Sequence, residues 1–217
     1  MIIAGIDPSI NGSGIFRMEL DDNTLDVVDQ HYLSFTQVKK NETPDVIYYK
    51  KKDFKNPIEQ NIWMHGYIEN FVDSCDYIAI EDYAYNAVGN VFQIGEFVGT
   101  LKESLYLKGT IAMRLYEPTV VKMYATGKGN SDKISMCDEY DKLSDGQLDL
   151  SVLPQYKSPK EDIVDAYYIC KLLQLELKLR KGLVLPKDLK EHEIKIFNRC
   201  TKANPINILG RGFIGED

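Results

Sequence analysis

Four carboxylates stand out by where the sequence puts them. Asp7 directly follows the apolar run Ile2-Ile3-Ala4-Gly5-Ile6, and Glu81 directly follows Tyr77-Ile78-Ala79-Ile80. Each reads as the residue on which a short buried strand ends. Asp162 and Asp165 are three residues apart, so they project from one face of the first two turns of a helix. If the two strands are neighbours, Asp7 and Glu81 lie side by side, and like charges that close are costly unless a cation sits between them. Oxygen-only donors in this number suit Mg²⁺ or Mn²⁺ rather than zinc, and two such ions about 4 Å apart suit phosphodiester hydrolysis. His31, His65 and His192 have no ligand-like spacing, and neither a nucleophile elbow nor a Walker loop is present. Some acids have plainer roles: Asp7 before Pro8 suits a strand-end turn, Glu81-Asp82 a solvated loop, and Asp162 the dipole of a helix N-terminus. Asp165, between Val164 and Ala166, has none so ready.

The elements that must position these groups follow from periodicity. Met1–Ile6, Ile15–Leu20 and Leu25–Phe35 read as three antiparallel strands, the last two joined at Asp21-Asp22-Asn23-Thr24. Residues 36–56 are polar and lysine-rich and read as a surface excursion. Pro57 starts a helix to about Val72 with Ile58, Ile62, Trp63, Tyr67, Ile68 and Phe71 as its apolar stripe. The strand ending at Glu81 comes next, then a helix over 90–107 carrying Ile94, Phe97, Val98, Leu101 and Leu105, with Gly95 and Gly99 leaving a shallow track. Thr110–Tyr116 is a strand, Pro118–Tyr124 begins a helix, and Lys133 to about Tyr140 is a short helix. Ser158-Pro159-Lys160-Glu161 has the form of a capping box before a long helix to about Arg180. This is an α/β chain with a mixed sheet. We read 1–182 as one domain with a basic insertion at about 36–56, and 183–217 as a basic tail or short helical extension.

Composition bounds the partners. With 33 acids against 26 bases the chain carries −7, which argues against a simple basic nucleic-acid binder. The charge is uneven, however, because residues 171–217 hold ten bases against six acids. No apolar run approaches the roughly 20 residues of a membrane span, and a charge arrives at Asp7 before a signal segment forms. A soluble, cytoplasmic protein is expected. Cys75, Cys137, Cys170 and Cys200 form no CxxC pair, so they read as reduced filler.

The motifs, taken in order, resemble the RuvC family of Holliday-junction resolvases. The resemblance rests on Gly5-Ile6-Asp7-Pro8 with Gly12 and Gly14, on Ile78-Ala79-Ile80-Glu81, and on Phe92 through Gly99. It continues through Pro118-Thr119-Val120-Val121-Lys122 and Gly127-Lys128-Gly129-Asn130-Ser131-Asp132-Lys133 to Asp162-Ile163-Val164-Asp165-Ala166. It implies an RNase H-like fold, with a mixed five-stranded sheet of three antiparallel and then parallel strands flanked by helices. It further implies four metal ligands, Asp7, Glu81, Asp162 and Asp165, holding two Mg²⁺ or Mn²⁺ ions, and lysines at the scissile phosphate, matching Lys122 and Lys133 with Lys128 nearby. The implied activity is metal-dependent cleavage of four-way junctions or other branched DNA, leaving 5′-phosphate and 3′-hydroxyl ends. The implied assembly is a homodimer through the helix at 90–107. Ser9 departs from the glycine usual after Asp-Pro, and Ala84 stands where the family has a junction-opening aromatic, leaving Tyr83 or Tyr85 to stack on an opened base.

Three other readings compete. An RNase H-type enzyme would cut RNA–DNA hybrids on the same fold; the Asp162/Asp165 pair and the Lys122–Lys133 block favour the resolvase. Sugar-kinase and actin-like ATPases also open on Gly-Ile-Asp, but they need two lobes and a second phosphate loop. A non-catalytic branched-DNA-binding module would not need intact acids at all four positions.

Overall fold

The structure is a computed structural model that describes residues 1–82, 91–109, 112–143 and 148–201. The strands are β1 (Ile2–Asp7), β2 (Gly14–Leu20), β3 (Val27–Thr36), β4 (Val46–Tyr48), β5 (Tyr77–Glu81) and β6 (Met113–Tyr116). Helices are α1 (Pro57–Val72), α2 (Val91–Leu107), α3 (Pro118–Thr126), α4 (Lys133–Asp141), α5 (Lys160–Arg180) and α6 (Glu191–Thr201). The sheet order is β4-β3-β2-β1-β5-β6. β1, β2 and β3 pair antiparallel, whereas β5 lies parallel to β1 and β6 parallel to β5.

The sheet has six strands, not the expected five. The extra one is β4, which the 36–56 excursion lays parallel to β3 with Ser34 opposite Val46. A three-residue strand among lysines has too little alternation to show in sequence. It is held from the other side by Tyr49, Phe54 and Trp63, whose rings contact one another at 5.4–6.1 Å between centroids.

Strand alternation decides which residues meet which helices. On β1, Ala4 and Ile6 face the core under α1 and α2, while Ile3, Gly5 and Asp7 face α5. On β5 the same parity sends Ile78 and Ile80 to α1 and α2, and Ala79 to α5. Helices α3, α4, α5 and α6 close the second core, into which α6 inserts Ile196 and Phe197. The stripe on α1 is turned from the expected one: Gln60, Met64, Ile68 and Val72 are buried at four-residue spacing, and Ile58 and Ile62 are exposed.

Helix α5 crosses β1 at a distance only glycine permits. A Cβ on Gly5 would lie 2.5 Å from the Cys170 amide nitrogen, and one on Gly14 would overlap the Asp162 carbonyl. The capping box does not form. Pro159 precedes the first turn with helical backbone and no side-chain cap, and the Ser158 hydroxyl goes to Asp162 instead. Lys160 is buried on Asp141, at 2.8 and 2.9 Å.

Candidate active site

All strands except β2 run towards one edge of the sheet, and the carboxylates collect there. Because Ile6 is paired with Ile80, Asp7 and Glu81 end adjacent parallel strands, and their carboxyl groups are close enough to shift each other's proton affinity. Asp162 and Asp165, from the first two turns of α5, reach them because Gly14 and Gly5 let that helix close onto β2 and β1. Asp7, Asp162 and Asp165 are all buried.

Lys133 closes the group. It is the first residue of α4, fixed there by Asp132, whose Oδ1 accepts from the Ser135 amide at 2.8 Å. Its Nζ lies 2.7 Å from Asp165 Oδ2, 3.3 Å from Asp162 Oδ1 and 3.6 Å from Asp7 Oδ2. Ser158 Oγ donates to the other oxygen of Asp162 at 2.5 Å, which leaves that carboxylate little rotational freedom.

One ammonium does not balance four carboxyls. Burial pushes Asp7, Asp162 and Asp165 above the ordinary aspartate range, with Lys133 pulling each back in part. Glu81 is raised furthest, by burial first and then by the charges of Asp7 and Asp165. Burial disfavours the Lys133 ammonium, but Asp7, Asp165 and Asp162 together outweigh it and hold the proton firmly. The centre is short of positive charge.

That shortfall, and a donor set made only of oxygen, fit a hard divalent cation. Among the described residues no three acidic, histidine or cysteine side chains are preset as a coordination cluster. The Lys133 ammonium takes the central place. With 42% of its side chain exposed, it is not locked into a core.

The other expected residues fall into three groups. Lys122, on α3, is near enough to lower the Asp165 carboxyl and that of Asp132. Lys128 is exposed in the α3–α4 turn and makes no ion pair with the cluster; its backbone carbonyl accepts from the Thr126 and Ser131 hydroxyls. Tyr83 and Tyr85 lie outside the described residues. On α2, Gly95 and Gly99 are half-buried, and Phe92, Ile94, Tyr106 and Leu107 are exposed.

Two contributors were not singled out from sequence. Ser158 stands in the capping-box pattern, and Gly14 in the glycine motif after Asp7. Ser158 reaches Asp162 from four residues away, in place of the capping box, whereas Gly14 meets it through the packing of α5 on β2, which no local pattern encodes.

The topology defines an RNase H-like α/β fold. Among solved structures the chain shares its fold with Thermus thermophilus RuvC: in the complex with a Holliday junction substrate the TM-score is 0.53 at 16% identity, covering 84% of this chain and 97% of that one. A second Thermus thermophilus RuvC structure gives the same score and identity, covering 98% of that chain. The fowlpox virus resolvase, in complex with Holliday junction DNA, matches at a TM-score of 0.44 and 15% identity over 82% of this chain and 99% of that one. No protein-family model matches the sequence, and no curated protein matches it.

Proposed function

We propose that this chain is a divalent-metal-dependent, structure-selective endonuclease that resolves four-way DNA junctions by phosphodiester hydrolysis, leaving 5′-phosphate and 3′-hydroxyl ends. One observation carries the reading: Asp7, Glu81, Asp162 and Asp165 converge on a single lysine at the edge where the parallel strands end. The shared fold with a RuvC that has been solved on a Holliday junction supports it.

In this reading the four carboxylates hold two Mg²⁺ or Mn²⁺ ions, which when bound activate water and stabilise the departing 3′ oxygen. Ser158 keeps Asp162 aimed at its ligand position. Lys133, released from its ion pairs, turns its ammonium to the scissile phosphate and offsets charge gathering there, with Lys122 behind it. Tyr83 or Tyr85 stacks on an opened base. The exposed side of α2, with Phe92, Ile94, Tyr106 and Leu107 beside the Gly95/Gly99 track, pairs two copies, so that twofold symmetry presents two centres to two symmetric strands.

The test is cleavage of labelled four-way junctions in Mg²⁺, with linear duplex and RNA–DNA hybrid alongside. Wild type cuts the junction in preference to both, and Asp7→Asn and Asp165→Asn do not cut it. Cleavage that survives both substitutions overturns the assignment.

A further inference from the structure

The excursion between β3 and β4 and the turn after β4 form the most basic surface that the carboxylate centre leaves unused. Residues 36–56 hold six lysines against three acids in a chain that is otherwise acidic. Lys39 is paired with Glu42, whereas Lys40, Lys50, Lys51, Lys52 and Lys55 are exposed and have no carboxylate in ion-pair range among the described residues.

This is not a loose lysine loop. The Tyr48 ring lies under the Lys39 and Lys50 ammonium groups, at 4.9 and 5.8 Å from its centroid. Tyr49 is buried, and its hydroxyl donates to the Asn11 carbonyl at 2.9 Å, while Phe54 packs on Trp63. The lysines are therefore displayed from a base anchored to the β1–β2 loop that follows Asp7.

Topology places them. β3 and β4 end on the same edge of the sheet as β1, so the lysines after β4 share the rim with Asp7. Three interstrand spacings separate β4 from β1, about 14 Å, which is the axial rise of about four base pairs. A cleft of about 340 Å³ runs beside the lysines, lined by Lys51 and Phe54, by Ile10 of the β1–β2 loop, and by Gln60, Gln93 and Glu96 of α1 and α2.

We propose that Lys50, Lys51, Lys52 and Lys55 form a ridge that binds the phosphate backbone of a duplex DNA arm about four base pairs from the cut. The proposal rests on the nuclease reading for its register, though not for DNA binding itself. Exposed, unpaired ammonium groups on a fixed base keep their counter-ions until phosphates displace them, so the contact is read in salt dependence.

The experiment compares wild type with the quadruple variant K50Q/K51Q/K52Q/K55Q and the charge-keeping K50R/K51R/K52R/K55R. Binding to a four-way junction and to linear duplex is titrated against KCl, with Ca²⁺ in place of Mg²⁺ to prevent cutting. The Gln variant is expected to bind the junction at least tenfold more weakly, with a salt slope shallower by about 3.6, since each of four phosphate contacts contributes about 0.9. The Arg variant keeps the slope, and unchanged melting temperatures show that both variants fold. A hydroxyl-radical footprint loses protection about four base pairs from the cut in the Gln variant only. An unchanged slope overturns the ridge. If wild type cuts no branched substrate, the nuclease reading fails alone, and linear duplex still decides the ridge: a slope lost in the Gln variant upholds it, an equal slope removes it.

Discussion

Helix α5 carries a buried ionic cluster at each end, and the two are built on opposite principles. Near its C-terminal end, Glu176 is fully buried, with Arg114 Nε at 2.9 Å and the Tyr116 hydroxyl at 2.6 Å on one oxygen, and Arg180 at 3.1 Å on the other. One carboxylate meets two guanidinium groups and a hydroxyl, so its acceptors are filled. At the N-terminal end, Asp162 and Asp165 join Asp7 and Glu81 around Lys133, the one ammonium in ion-pair range among the described residues, and the carboxyls are raised by burial and by one another. The first arrangement holds α5 to β6. The second stores repulsion that folding alone gives no reason to keep. A balanced buried cluster therefore marks structure, and an unbalanced one marks a place prepared for charge from outside.

That contrast breaks if the two ends respond alike to losing an acid. Asp7→Asn and Asp165→Asn are expected to lower junction cleavage on the order of 10³-fold, because each removes a charge aimed at the reacting centre. The metal-free melting temperature should hold or rise, since the substitution relieves repulsion; a large fall would place these acids among the structural ones. Glu176→Gln should do the reverse. Leaving two guanidinium groups buried without their counter-charge costs about 3–5 kcal/mol, read as a loss of about 10 °C in melting temperature, while cleavage per folded molecule is unchanged.

The sequence shows the carboxylate cluster far better than the one around Glu176. Asp7 and Glu81 each end an apolar run, and Asp162 and Asp165 share a helix face by spacing alone, so local pattern finds all four. The parity along β1, with Ile3, Gly5 and Asp7 on one face, is equally local and explains why Asp7 looks at α5 rather than α1. Lys133 needed the family resemblance, because nothing in Asp132-Lys133-Ile134 distinguishes a lysine set among carboxylates from a solvated one. Glu176 was illegible: it sits in Gln174-Leu175-Glu176-Leu177-Lys178, which reads as an ordinary amphipathic turn, and its partners Arg114 and Tyr116 lie about 60 residues away. β4 was missed because three residues among lysines carry no period. The close approach of Gly14 to Asp162 belongs to the packing of two distant segments, and only the assembled fold contains it.

Metal titration sharpens the comparison at the N-terminal end. Mn²⁺ at a hundred times its dissociation constant should stabilise the wild type by about 2.7 kcal/mol, and EDTA should remove that gain. In Lys133→Met the carboxylates lose the ammonium that holds their centre, so the metal-free chain should melt lower and the Mn²⁺-induced shift should grow. Asp165→Asn should shrink it. Equal shifts in wild type and Lys133→Met, by scanning fluorimetry, would mean that lysine and ion do not share the place.

The smallest effect comes from a third buried group, on the opposite face of the sheet. His65 lies between α1 and α2, its ring 4.6 Å from that of Phe97 and its Nε2 without a hydrogen-bond partner among the described residues. Burial lowers its affinity for a proton, with Glu69 opposing. A folded pKa depressed below the unfolded value means that the unfolded chain binds the proton first. The histidine therefore costs nothing above the unfolded value of about 6.5, and stability is lost as pH falls from there through the lower folded value. The loss should be on the order of 1 kcal/mol, the cost of a buried donor left unpaired. His65→Gln should remove this acid-side fall in urea-unfolding midpoints between about pH 7 and pH 5. An acid response of opposite sign that remains in His65→Gln then belongs to the carboxylates at the N-terminal end of α5. Burial raises those groups, so the folded chain binds their protons first, and acidification should stabilise the metal-free chain, opposite in sign to the effect of His65.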